Sequence, residues 1–363
     1  MNYLSPPVSI APHLSQFGLR SFCECTKMKS IMRRALPENP NILLIKPGAV
    51  GDLLQLSPVL RALKKTFPAS SIFLIVGTEA SASLFRHDPN VHEIIVYDRY
   101  RTPFLPLWKR LHGLQFDLVL NFQRSNLRSW FLASAAFPRR ILVYRKARGR
   151  NVHAVENYLE TLAPLGIGTA DRELRMYLAE EDRAYARNIL RSLGPDQTPV
   201  IAINPGATHA VNRWPTEHFA ALADRIDTEL GARVIIVGGP DDRPIADEIV
   251  ARSAARPPSL AGATSLLQLG AVLEQCAALV SGDTGPMHMA TAVGTPVVAL
   301  FGAADPDRTG PVGLGHRVIQ ARTVACVPCR SRTCSNPAYL DCMEKISEDD
   351  VIRALKTAMI KKR

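Results

Sequence analysis

With 363 residues, 47% of them hydrophobic, the chain is long enough for two ordinary domains with real cores, which argues against a disordered protein. A net charge of +11 points to an acidic partner, whether nucleic acid, anionic lipid headgroups or a phosphorylated substrate. No apolar run approaches the roughly 20 residues that span a bilayer, and the first 40 residues lack a continuous apolar signal segment, so a cytoplasmic chain is expected. In that compartment its seven cysteines are not expected to form disulfides.

Residues 1–39 mix Pro, Ser and basic residues without periodicity and read as a poorly ordered leader. From Asn41 the pattern changes. Ile42–Ile45 reads as a buried strand, Pro47–Gly51 as a tight loop and Leu53–Lys65 as an amphipathic helix. Further strands are predicted at Ile72–Val76, Ile94–Val96, Leu118–Leu120 and Ile141–Tyr144, alternating with helical segments as in a parallel sheet covered on both faces. A charged, helical stretch from Asp171 to Gln197 leads to a linker near Leu193–Thr198.

A second series follows: a strand at Val200–Ile203, a helix from Thr216 to Leu230, a strand at Val234–Val237, helices at Ile245–Arg252 and Ser265–Ala277, a turn after Val280, and a last strand at Pro296–Leu300. Ser347–Met359 reads as a helix opened by a Ser-x-x-Asp capping box. The organisation is thus a first Rossmann-like domain over 40–193, a second over 194–346, and a terminal helix over 347–363. Two doubly wound α/β units in one chain face each other across a central cleft, with the C-terminal ends of their strands towards it.

Chemistry concentrates on the loops that follow strands. Lys46-Pro47-Gly48-Ala49-Val50-Gly51-Asp52 has neither the G-x-G-x-x-G spacing of a dinucleotide site nor the Lys-Ser/Thr of a phosphate loop, which makes a nicotinamide dehydrogenase a poor reading. It projects Asp52 at a helix N-terminus, where the dipole favours a negative charge, either as general base or simply as an acidic helix-start residue. In Ser281-Gly282-Asp283-Thr284-Gly285-Pro286-Met287-His288 a strand runs into a helix. Thr284 is placed to cap it, Gly285 to let a ligand approach, Pro286 to occupy the first turn, and His288 to donate to phosphate. Asp283 would repel a diphosphate, so it suits backbone N–H groups or sugar hydroxyls; the alternative for the whole segment is a well-capped buried helix.

Asn204-Pro205-Gly206-Ala207-Thr208 and Asn212-Arg213-Trp214-Pro215 repeat the theme, with Arg213 a bidentate candidate for a diphosphate and Trp214 a packing anchor. Asp242, after Gly238-Gly239-Pro240, stands where a ribose would sit, or in a solvated turn. Cys326, Cys329, Cys334 and Cys342 have the spacing of a structural zinc site, with reduced thiols as the alternative. Arg139, Arg140, Arg145, Lys146, Arg148 and Arg150 form the densest basic run. It is a candidate hold for an anionic acceptor through Arg145, alongside Lys46 and Gly51, or else a solvated face. With Tyr144 as the only aromatic among them, single-stranded nucleic acid is the weaker partner.

Taken in order, Ile45, Lys46, Gly51, Asp52, Ser57 and Pro58, then Pro205-Gly206-Ala207, Trp214-Pro215, Gly238-Gly239 and Asp283-Thr284-Gly285-Pro286-x-His288 resemble glycosyltransferase family 9, the ADP-heptose lipopolysaccharide heptosyltransferases. The resemblance covers about residues 41–358. It implies a GT-B architecture, with an N-terminal acceptor domain, a C-terminal donor domain and a last helix returning to the first domain. It also implies inverting, metal-independent transfer of a heptose from an ADP-sugar to the lipopolysaccharide inner core, an anionic lipid-linked acceptor met at the inner membrane's cytoplasmic face.

By matching position, Asp52 would deprotonate the acceptor, Thr284, Gly285 and His288 would hold the diphosphate, and Thr208, Arg213 and Asp242 would assist from the facing loops. Family members commonly carry lysine two residues before the Trp-Pro pair; here that position is Asn212, which leaves another nucleotide sugar, or a degenerate nucleotide-binding or cysteine-metal scaffold, as alternatives.

Overall fold

A computed structural model of the chain describes residues 35–98, 100–123, 127–135, 137–147, 149–194 and 198–360. Most of the expected leader, with Cys23 and Cys25, and also Arg148 and part of the expected linker, lies outside the described residues.

Ten strands form two five-stranded parallel sheets. The first holds β1 (Asn41–Ile45), β2 (Ser71–Val76), β3 (Glu93–Val96), β4 (Leu118–Asn121) and β5 (Arg140–Val143) in the order β3-β2-β1-β4-β5. The second holds β6 (Val200–Asn204), β7 (Arg233–Ile236), β8 (Ala278–Gly282), β9 (Val297–Phe301) and β10 (Arg317–Gln320) in the order β10-β9-β8-β6-β7. Both are doubly wound. Strand order reverses between β1 and β4 in one sheet and between β6 and β8 in the other, and each reversal opens a crevice at the strands' C-terminal ends.

The two-residue period of each strand sorts its side chains into separate cores. Leu43 and Ile45 of β1 face a cluster with the helices Phe104–Gly113 and Leu127–Ala135, while Ile42 and Leu44 face the other way. In β6, Val200 and Ala202 join the same cluster as Ile42 and Leu44, and Ile201 and Ile203 turn to the far side. One continuous core therefore runs between the sheets and binds the halves together. The chain crosses it along 171–179, burying Leu174, Met176 and Leu178, and Met176 N donates to the Ala292 carbonyl at 3.2 Å.

Two boundaries differ from expectation. The helix Glu180–Ser192 lies within the expected first domain, yet it packs on Leu266–Gln275 of the second half, with Arg183 bonded bidentately to Glu274 at 2.8 and 3.1 Å. The crossing is thus 171–179, not the stretch after Leu193. The terminal helix Glu348–Ile360 also stays with the second half, because its apolar stripe, Val351, Ile352, Leu355 and Ala358, matches the face of the second sheet that β8 and β9 leave open. Among the described residues that cluster holds none before Ile201, and the main contacts of the helix are with Thr216–Leu230, β8, β9 and β10 of the second half rather than with the first domain.

Candidate active site

Lys46 follows β1 directly. Pro47, Gly48 and Ala49 then turn the chain into the short helix Val50–Leu54, which carries Asp52 in its first turn. Lys46 Nζ lies 3.0 Å from Asp52 Oδ2, and it sits 5.4 Å over the Tyr158 ring. The lysine is buried and the carboxylate half-exposed, so the ion pair aims one open oxygen at solvent. A Cβ at Gly48 would come within 3.1 Å of Lys46 Cε and 3.4 Å of Asp52 Oδ2, and glycine leaves the pair its space. Burial raises the Tyr158 phenol well above its usual value, with Asp52 adding to the effect.

On the opposite wall, Asn204 ends β6 and is buried. Its Nδ2 donates to Ser281 Oγ and Thr284 Oγ1, both at 3.0 Å, which ties the loops after β6 and β8 together. Thr284 occupies the N-cap position of the helix Gly285–Ala292, but its hydroxyl is engaged by Asn204 and Ser281 and does not cap. The expected capping role is therefore wrong, and the first-turn N–H groups are not taken up by that side chain.

Gly285 faces the first half: its Cβ would stand 3.4 Å from Val50 Cβ. Gly51 faces back, with a would-be Cβ only 2.4 Å from His288 Cδ2. The glycines of the two motifs thus serve the contact between halves. His288 is buried there, and its pKa falls to about 4 because burial disfavours the cation. It stands between the halves as a neutral ring whose Nδ1 is buried without a partner.

Asp283 Oδ2 accepts from Thr309 Oγ1 at 2.8 Å. Burial pushes its pKa up to about 6, the Thr309 hydroxyl pulls it down, and the Asp52 charge adds to the rise. Asp52 and Asp283 line one cavity of about 460 Å³ between the halves, together with Lys46, Asn212 and four further cations, Lys146, Arg308, Arg330 and Arg332. Asn212 Oδ1 is buried without a partner.

The remaining expected residues stand outside that lining. Thr208 is exposed. Arg213 donates through Nε and Nη2 to the Ala207 carbonyl at 3.1 and 2.9 Å, so its guanidinium braces the loop after β6. Asp242 accepts from Gly239 N at 2.8 Å and fills the space where Gly206 and Gly238 lack a side chain, joining the loops after β6 and β7. Arg145 lines a separate cavity of about 1000 Å³, which shares Tyr144 and Asn157 with the first.

The cysteines do not fit a closed zinc site. Cys326 and Cys329 are exposed and Cys342 is buried. Burial and the three neighbouring cysteines raise the Cys342 thiol, yet no three of these sulfurs lie within 4.8 Å of one another among the described residues. Their sulfurs serve instead as acceptors, Cys334 from Leu340 N and Cys326 from Asn336 Nδ2, while Cys342 packs beneath Gly302. Between the thiols, Arg330 and Arg332 reach the cavity. Their arginine-serine-arginine run was the available sequence signal.

The sequence model described as glycosyltransferase family 9 (heptosyltransferase) matches residues 104–340. The chain is 26% identical over 291 residues to the lipopolysaccharide core heptosyltransferase OpsX of Haemophilus influenzae, covering 75% of this chain and 81% of that one. Among solved structures, a family 9 glycosyl transferase from Veillonella parvula superposes with a TM-score of 0.78 at 25% identity, covering 89% and 97% of the two chains. The ADP-heptose lipopolysaccharide heptosyltransferase II of Escherichia coli shares the fold with a TM-score of 0.74 at 23% identity, covering 89% and 99%.

Proposed function

The chain belongs to glycosyltransferase family 9, and from that premise we propose that it transfers a heptose from an ADP-activated donor to the inner core of lipopolysaccharide or a related glycolipid. One observation carries the mechanism: Asp52 and Asp283, from opposite halves of a GT-B fold, line a single cavity. The strand-order reversal between β6 and β8 supports a donor held beside Asp283 and Thr284, with the acceptor on the Asp52 side.

The acceptor hydroxyl then attacks the anomeric carbon from the face opposite the diphosphate. Asp52 takes its proton as the new carbon–oxygen bond forms, the bond to the diphosphate oxygen breaks, and ADP leaves with the electron pair, inverting the centre. Lys46 orients the carboxylate by its 3.0 Å ion pair. The side chains of Lys146, Arg308, Arg330 and Arg332, which line the cavity, carry the leaving group's charge in this reading. Asn212 Oδ1 takes a hydrogen bond from a donor hydroxyl in place of the usual lysine's charge.

Among the described residues no helix is long and apolar enough to cross a membrane. The lipid-linked acceptor of this reading is met peripherally, at the cytoplasmic face of the inner membrane. Asp52→Asn is expected to lower kcat by about 10²–10⁴-fold, the usual contribution of a positioned base. Calorimetric ADP affinity should stay at the wild-type value. Wild-type turnover in this variant would remove Asp52 from the base role.

A further inference from the structure

Six of the nine exposed large apolar side chains among the described residues fall between Tyr100 and Phe137. Four of them lie on two helices that pack on each other. Phe104 meets Phe131 edge-on, with centroids 6.5 Å apart, across the helices Phe104–Gly113 and Leu127–Ala135. Phe137 meets His112 at 5.3 Å, and His112 stacks on Trp108 at 5.5 Å. Leu105 and Lys109, four residues apart on one helix, share a face and are both exposed.

Beside this patch β5 is an edge strand, and each of its four residues is only half buried, although parallel strands are normally covered on both faces. Its Ile141, Leu142 and Val143 line the cavity of about 1000 Å³ together with Trp130, Arg139 and Arg145. Glu160 is the only acidic side chain in that lining, and Arg150 pairs with it at 3.1 Å. Tyr144 and Asn157 line both this cavity and the one that holds Asp52.

From this geometry we propose that the face formed by the two helices and β5 docks on an anionic phospholipid bilayer. Leu105, Trp130, Phe131 and Phe137 enter the interfacial layer, and Lys109, Arg139 and Arg145 meet the lipid phosphates. Exposed aromatic rings beside basic side chains are the composition that suits this boundary, and each basic residue near an anionic surface contributes about a fivefold factor in partitioning. The bilayer, rather than a protein partner, is the occupant because the apolar surface continues past basic side chains into the catalytic mouth. A lipid-linked acceptor lying in the membrane has its sugars delivered past Tyr144 and Asn157 to Asp52. The inference deepens the acceptor reading above and rests on it for what the bilayer presents.

Sedimentation of the full chain with vesicles of phosphatidylethanolamine and phosphatidylglycerol, against phosphatidylcholine alone, tests it. Wild type is expected to bind the anionic vesicles preferentially and to be released by high salt. Leu105→Ser/Phe131→Ser/Phe137→Ser should weaken binding at least tenfold, and Lys109→Glu by about fivefold or more. Melting temperature and ADP affinity should not change. Transfer to vesicle-borne acceptor should show a raised KM, and transfer to a detergent-dispersed acceptor should not.

Equal vesicle binding by wild type and the triple variant overturns the proposal. So does a triple variant that merely turns a wild-type dimer into monomers. Loss of vesicle binding in a protein that transfers no heptose upholds the docking face and refutes the activity. Transfer with no effect of the triple variant on membrane binding does the reverse.

Discussion

Asp283 and His288 pull the molecule's pH response in opposite directions from adjacent turns of the chain. The Asp283 pKa is raised from 3.8 to about 6, so the folded protein holds a proton that the unfolded chain has lost between those values, and this residue costs stability as pH rises through the window. The His288 pKa is lowered from 6.5 to about 4, so the unfolded chain binds the extra proton, and this residue costs stability as pH falls through its window. Each shift corresponds to a cost of about 3 kcal/mol, and between about pH 4 and 6 the two opposite pH slopes largely offset each other in the wild type. Asp283→Asn is therefore expected to raise the melting temperature at pH 7 and to lose that advantage as the pH is lowered towards 4, where the native aspartate is already neutral. Calorimetric scans across this range check it, and a pH-independent difference between variant and wild type would show that the Asp283 charge is not what the site holds at a cost.

The short helices at the head of each motif explain why glycine recurs where no ligand is touched. Val50–Leu54 and Gly285–Ala292 meet tip to tip, Val50 against Gly285 and Gly51 against the His288 ring. Gly51→Ala gains about 1 kcal/mol of helix propensity but drives a methyl group to 2.4 Å from a buried ring, and overpacking of that kind costs about 1–3 kcal/mol. The balance is a less stable protein whose cavity walls are pushed apart, with a lower melting temperature and a raised KM for the donor. His288→Ala in the same chain should restore the melting temperature; additive losses in this double-mutant cycle would mean the two residues do not press on each other. The strands were legible at this scale because β1, β2, β6, β8 and β9 are covered on both faces and write themselves as continuous apolar runs. The first helix was less so: the segment read as one helix from Leu53 is two, parted at Gln55 and Leu56, where Ser57 Oγ donates to the Leu54 carbonyl. Asp52 and Asp283 were legible because they follow strands at fixed spacing. Arg308, Arg330 and Arg332 were not, because only the fold of the second half turns those loops towards the first.

At the scale of the whole molecule, the two halves are not held as beads on a linker. The strap 171–179 buries Leu174, Met176 and Leu178 between them, Ser57 Oγ accepts from Arg175 N at 3.0 Å, and His153 Nε2 lies 3.1 Å from the Gly310 carbonyl on the far side of the cleft. Such joints fix the separation of Asp52 from the loops after β6 and β8, which the proposed inverting displacement requires to be well defined. The terminal helix does something different, closing the second sheet upon itself. Val351, Ile352 and Leu355 are almost wholly withdrawn from water, and Trp214, whose Nε1 donates to the Ile346 carbonyl at 3.0 Å, anchors the segment leading into it. Fully burying three such side chains contributes about 5–9 kcal/mol, which is comparable with the entire stability of an ordinary domain. Removing residues 347–363 should therefore unfold the donor half while sparing the acceptor half. In hydrogen exchange, amides of β6, β8 and β9 should lose protection and those of β1, β2 and β4 should keep most of theirs. A helix that instead clasped the first domain would give the opposite pattern, with exchange rising first in β1 to β5 and the cleft opening while the donor sheet stayed intact.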